Sequence, residues 1–242
     1  MVVINRIVWL LLLSFSIQAQ QTLTIVSSVD KPPYILQKEN SGFEIELVQA
    51  VIQGMGKSAE IHYENYGRTA KMFEVQGIDA IMTASQKVFT DTSVLTLPYI
   101  NYQNVAISLA ENNLKIEKVA DLAGYSMVSF QLADKVLGQA FLKAAMSSPM
   151  YAQMGDQSKQ PGMLFRKRTD VLVMDKMIFY AMLKQSDWAG QIDKVKIHPI
   201  FPVTAYSMAF KDKQNVSLFN AELIKFLASN DYMELRKKYD FD

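Results

Sequence analysis

The sequence predicts an α/β protein made of two lobes of similar plan, each a sheet with parallel strands flanked by helices. Three observations lead there. Strands and helices alternate from residue 22 onward, the order that builds parallel, doubly wound sheets. Two stretches, "QGIDAIM" (76–82) and "KRTDVLVM" (167–174), repeat one design: helix end, turn, aspartate, apolar strand. Each of those strands ends in polar residues, Thr83 and Ser85 in the first case and Asp175 in the second. Ligands of open α/β sheets bind beyond the carboxyl ends of strands, so two such ends facing one another would make a cleft.

The elements follow in order. "TLTIVSS" (22–28) reads as a buried strand, and the prolines of "DKPPY" (30–34) end it, because proline cannot continue a ladder. A helix is expected over about 43–54. Ser41 and Glu44 have the spacing of a capping box at its start, Ile45, Val48, Ile52 and Met55 share a face, and Gly54 and Gly56 provide the stop. "AEIHYE" (59–64) is a second strand, 69–76 a helix, and Ile78 to Met82 a third strand. The second set comprises strands at 105–110 and 125–130, a helix over 134–146 and a strand at 168–175. A helix then runs to Lys184, with strands at 194–200 and 205–210 and helices over about 216–228 and 231–239.

Composition narrows the function. A formal net charge of +1 gives no basic field for nucleic acid. The absence of cysteine excludes disulfides, thiolate metal sites and a cysteine nucleophile. The two histidines, His62 and His198, sit in separate predicted strands and read as ordinary strand residues, and the 14 methionines fall at core-like positions such as Met82, Met127, Met174 and Met208. No cofactor or metal is expected. Arg6, the apolar block at 7–17 and the small residue Ala19 have the layout of a secretory signal peptide, residues 1–19, too short to span a bilayer. With no cysteine at the cleavage point, no lipid anchor is expected. The mature chain should be exported, near neutral and without a membrane span.

"PPYILQKENSGFEIELVQAV" (32–51), "QGIDAIMTASQK" (76–87), "LPYI" (97–100), "DLAGYSMVSFQ" (121–131), "RTDVLVMD" (168–175), "AYSMAFKD" and "LRKKYD" stand in an order and spacing similar to a known family. The chain resembles the bacterial extracellular solute-binding proteins of family 3, the periplasmic receptors of amino-acid ABC transporters. The resemblance covers nearly all of the mature chain. It implies a two-lobe type II periplasmic-binding fold, with lobe 1 at 22–106 plus 206–242 and lobe 2 at 107–205. The strands 105–110 and 203–208 would be hinges that let the lobes close on a ligand.

The resemblance also implies site residues. Asp175 matches the aspartate that pairs with a ligand's ammonium group; it is equally placed to cap the helix that begins near Lys176. Tyr34 matches an aromatic wall, with a half-buried loop tyrosine as the alternative. Lys87 stands nearest the family's carboxylate-binding arginine, whose bidentate fork a lysine cannot reproduce. Where the family reads Q-G-T, this chain reads Gln131-Leu132-Ala133-Asp134, and Asp134 would occupy the anion position with its own charge. Tyr66 and Arg68 follow the second strand; Arg68 is either a replacement anion site or a solvated helix-start residue. Thr83 and Ser85 either donate to ligand oxygens or satisfy the strand's last backbone groups. Asp30 is expected to cap the Pro-Pro turn at the cleft's edge.

The resemblance implies a monomeric receptor that binds a small polar solute, an amino acid or a related compound, and delivers it to an inner-membrane ABC permease. A periplasmic sensory or orphan binding module is the alternative. An enzyme on the same fold, as a few relatives are, is a weaker one: the sequence has no G-x-S-x-G, H-E-x-x-H or P-loop motif. The changed anion site points away from a conventional amino acid, toward a cationic or uncharged solute.

Overall fold

The structure, a computed structural model, describes residues 20–241; the expected signal peptide, residues 1–19, lies outside them. The first half runs β1 (Thr22–Ser28), α1 (Phe43–Gly54), β2 (Ser58–Glu64), α2 (Tyr66–Met72), β3 (Ala80–Ala84), β4 (Ile100–Tyr102) and β5 (Asn104–Leu109). Next come β6 (Met127–Phe130), α3 (Ala133–Val136), α4 (Gln139–Ser147), β7 (Tyr151–Met154), α5 (Gln160–Phe165), β8 (Val171–Asp175) and α6 (Lys176–Lys184). The chain closes with β9 (Val195–His198), β10 (Thr204–Phe210), α7 (Lys213–Leu227) and α8 (Asn230–Lys238).

Two five-stranded sheets result, ordered β2-β1-β3-β10-β4 and β7-β6-β8-β5-β9. β1 lies parallel to β2 and β3, and β6 parallel to β7 and β8. Each sheet also takes antiparallel strands: β10 against β3 and β4 in the first, β5 against β8 and β9 in the second. Both faces of the first sheet are covered, as buried parallel strands require. Leu23 and Ile25 of β1 share a core with Ile45, Val48 and Ile52 of α1, while Val26 packs on the other face with Ile81, Ala84 and Ala209, beneath Phe73 and Phe89. This is the two-lobe type II periplasmic-binding architecture.

The repeated aspartate has a physical role in both lobes. Asp79 Oδ2 accepts the Thr24 backbone N–H at 2.8 Å. Asp170 Oδ2 accepts the Ser126 backbone N–H at 2.9 Å and the Ser126 hydroxyl at 2.6 Å. Each carboxylate fixes the start of a strand against its parallel neighbour, which is why the helix-turn-Asp-strand design recurs.

The structure differs from the sequence reading in several places. The helix expected over 134–146 is two helices, broken where Gly138 adopts φ +86°. The helix expected at 69–76 begins earlier, at Tyr66, and the strand expected at 78–82 runs from Ala80 to Ala84. β4, β7 and α5 are short and were not legible as periodic segments. The strands taken as hinges each belong to a single sheet. The chain crosses between sheets at Gln103, and again across 199–203. Gln103 Nε2 donates to Phe201 O at 3.0 Å, so the two crossings touch.

Replacing either repeated aspartate leaves a strand-start N–H without its acceptor. Asp79→Ala and Asp170→Ala should each lower unfolding free energy by about 1–3 kcal/mol, with Asp170→Ala the larger because it accepts two bonds. Urea denaturation of both variants checks this.

Candidate functional site

The site begins with the Pro-Pro turn. Pro33 O and Tyr34 O accept the first N–H groups of α1, from Phe43 at 3.0 Å and Glu44 at 2.9 Å. Gly42 permits this approach: its φ is +114°, and a Cβ there would lie 2.4 Å from Tyr34 O. The expected Ser41–Glu44 capping box therefore does not form. The helix has no side-chain cap at Gly42, its amides being satisfied by backbone carbonyls. Glu44 turns inward instead and is fully buried.

Three hydroxyls hold that carboxylate. Oε1 accepts from Thr83 Oγ1 at 2.7 Å and from the Tyr99 hydroxyl; Oε2 accepts from Tyr102 at 2.6 Å. The Thr83 backbone N–H in turn donates to the Tyr99 oxygen at 2.9 Å. Burial, then the nearby Glu44 charge, raises the Tyr99 and Tyr102 hydroxyls well above the usual tyrosine range. Thr83, expected to face a ligand, is committed to Glu44.

Lys31 was not singled out by the sequence, yet it occupies the centre. It is 5 % exposed, and its Nζ lies 4.2 Å from the Tyr66 ring centroid and 5.8 Å from that of Tyr102. Such positions over an aromatic face attract an ammonium. Burial lowers its pKa to about 8, and the charges of Glu44 and Asp175 oppose the shift.

Asp175 faces the same space from the second lobe. Its Oδ1 accepts the Met177 and Ile178 N–H groups at 2.8 and 3.0 Å, so it caps α6. Its Oδ2 accepts the Gln103 N–H at 2.7 Å, at the crossing between lobes. The Tyr34 hydroxyl also faces it, and the Tyr34 ring stacks on Tyr102 at 4.2 Å. Burial pushes the Asp175 carboxyl up to about 6 against these hydrogen bonds.

Lys31, Tyr66, Tyr102 and Tyr206 from the first lobe meet Asn104, Phe130, Gln157, Asp175 and Ile178 from the second around a cavity of about 10 Å³. That volume accommodates roughly one water. Two buried polar atoms on its wall have no hydrogen-bond partner among the described residues, Asn104 Nδ2 and Gln157 Oε1. Gln131 borders an adjoining cavity and accepts the Gly67 N–H at 2.9 Å across the lobes. Asp30 lies at that rim and accepts the Gln37 N–H at 2.7 Å, within the Pro-Pro turn.

The remaining expected residues lie elsewhere. Ser85 and Lys87 line a separate cavity of about 240 Å³ with Val136 and residues 202–205, and Lys87 Nζ donates across the lobes to Val136 O at 2.6 Å. Arg68 is exposed and pairs with Glu64 at 3.2 Å. Asp134 accepts from Gln153 Nε2 at 2.9 Å, while the cap position of α3 is taken by Leu132 at φ +63°. His62 lies beside Glu60; His198 contacts Ser108 and Ile116 O. Among the described residues no group of three or more acidic, histidine or cysteine side chains could hold a metal. A cavity of about 400 Å³ lies between Phe165, Trp188 and Lys194 at the end of β5 opposite Asn104, away from the buried charges.

Comparison with known proteins places the fold. No family model matches the sequence, and no curated protein does. Solved structures do match. An ancestral arginine-binding protein bound to arginine is 22% identical, with a TM-score of 0.75 over 91% of this chain and 98% of that one. A substrate-binding protein of an ABC uptake transporter from Streptococcus pneumoniae, with bound histidine, is 16% identical with a TM-score of 0.73, over 91% of this chain and 93% of that one. A histidine kinase sensor domain similar to periplasmic binding proteins is 15% identical with a TM-score of 0.75, over 91% and 96% of the two chains. The chain has the fold of the two-lobe periplasmic binding proteins. Among the described residues no helix is long and apolar enough to cross a membrane.

The environment of Lys31 gives a direct prediction. Its ammonium should titrate near pH 8 in an NMR titration of lysine side chains assigned with Lys31→Arg. A titration near the ordinary value of about 10.4 would show that the ammonium is solvated.

Proposed function

We propose that this protein is an exported, monomeric solute-binding protein, a divergent relative of the family 3 receptors. In this reading it captures a small polar solute at the lobe junction for uptake by an inner-membrane ABC permease. One observation carries the reading. Asn104 Nδ2 and Gln157 Oε1 are buried without partners among the described residues, on a cavity to which both lobes contribute. A buried polar atom left unpaired is costly, so such a pair at a lobe junction is suited to a solute with one acceptor and one donor. Tyr66 and Asp175 supply walls of the same space, Gln131 links the lobes beside it, Lys87 links them at a separate cavity, and Thr83 acts through Glu44. The lobes hinge at Gln103 and 199–203 to admit the solute. The signal peptide belongs to this reading too, as does the absence of catalysis.

A periplasmic sensory module is the second reading, favoured by the likeness of fold to a histidine kinase sensor domain. It uses the same site with a different partner.

The test is a thermal-shift screen of the purified protein against amino acids, polyamines, small carboxylates and sugars. A solute that binds only the native state raises the melting temperature with its concentration. The expected result is a saturable rise for at least one small polar solute, weakened about tenfold or more in Asn104→Ala. Mass spectrometry of that solute after prolonged incubation should recover it unchanged. Silence across the panel would set the transport reading aside in favour of the sensory one, and chemical conversion of the solute would overturn both.

A further inference from the structure

The residue at the centre of the junction belongs to the chain itself. Lys31 Nζ sits over the Tyr66 ring, with Tyr102 beyond and Tyr206 on the same cavity wall. Tyr66 and Tyr206 lie together on that wall, and burial raises both hydroxyls above the usual tyrosine range. Two buried carboxylates, Glu44 and Asp175, flank the ammonium. Among the described residues neither carboxylate lies within the 4.0 Å of an ion pair with Lys31. The ammonium is therefore held by aromatic faces and by charge at longer range rather than by a carboxylate clamp.

Such an arrangement is chemically a cage for cations. Its two carboxylates face one ammonium, so the enclosure attracts a positive group and repels a further negative one. Both carboxylates are occupied. Glu44 accepts three hydroxyl bonds, and Asp175 accepts three backbone N–H bonds and faces the Tyr34 hydroxyl. They contribute charge more than free acceptor sites. The cavity beside Lys31, at about 10 Å³, has no space for a second alkylammonium head while Lys31 is in place.

We propose that the tyrosine cage at the lobe junction is a binding site for a primary alkylammonium group, that Lys31 is its built-in occupant, and that an external amine enters only when Lys31 leaves. Lys31 acts as a tethered competitor, present at the high effective concentration that a short tether confers. The lobes then meet on Lys31 itself, and an amine-bearing solute must outcompete it to settle in the closed cleft. The last step rests on reading the junction as the solute site; the cage and its occupant do not.

The test is chemical rescue. Lys31→Ala removes the three carbons and the nitrogen that n-propylammonium restores. Thermal melts of the variant should show a saturable rise with n-propylammonium chloride, at about tenfold or more lower concentration than with n-propanol, its neutral counterpart. The wild-type protein should show no such rise, because its cage is filled. No saturable rise in the variant, an equal response to propanol, or an equal rise in the wild type would each overturn the proposal. If Lys31→Ala does not fold, the wild-type protein decides by NMR. One pair of lysine ε-protons should be shifted upfield by the Tyr66 ring current, and that signal should vanish in Lys31→Arg. Its absence from the wild-type spectrum overturns the proposal. A wild-type protein that binds no solute in the screen sets the transport reading aside and leaves these outcomes unaffected.

Discussion

A carboxylate removed from water must be satisfied where it lies, and in this protein that group is Glu44. It stands in the first turn of α1 and is fully buried, and it draws hydroxyls from three segments: Thr83 on β3, Tyr99 before β4 and Tyr102 on β4. Those bonds join the first helix to the middle and edge of the first sheet. They also place a fixed negative charge at the lobe junction, and Lys31 is drawn in toward it from the Pro-Pro turn. The stacking of Tyr34 on Tyr102 and the approach of Tyr34 to Asp175 carry the same network into the second lobe.

Much of the fold was legible from the chain. Long alternating segments such as 22–28, 43–54 and 204–210 declare themselves by period, and the matching aspartates, Asp79 and Asp170, revealed that two lobes share one plan. Short elements were not legible, because three or four residues, as in β4 or β7, carry no measurable period. The break at Gly138 was missed for a related reason: an apolar face continues on either side of it, and only the backbone shows the turn.

The site was legible in part. Tyr34, Tyr66, Asp175 and Gln131, all named from the sequence, lie together at the lobe junction, although only Asp175 among them was a polar strand end. Glu44 was misread because S-x-x-E is a local pattern, and a tertiary contact won: the carbonyls of Pro33 and Tyr34 took the helix amides and released the side chain. Lys31 gave no local signal. A lysine between an aspartate and two prolines looks like any loop cation, and its burial follows from Glu44, Tyr66 and Asp175, which lie far from it in sequence. Lys87, the cation that sequence placed in the cleft, spends its ammonium on the Val136 carbonyl across the lobes.

The proposed occupancy of the tyrosine cage by Lys31 predicts that the two lobes stay together in the absence of solute. Small-angle X-ray scattering from the purified protein without added solute tests that most directly. The curve should match the one calculated from this structure, and the Lys31→Ala protein should scatter as a more expanded particle. An expanded wild-type protein that contracts only when a solute is added would contradict the central role given to Lys31.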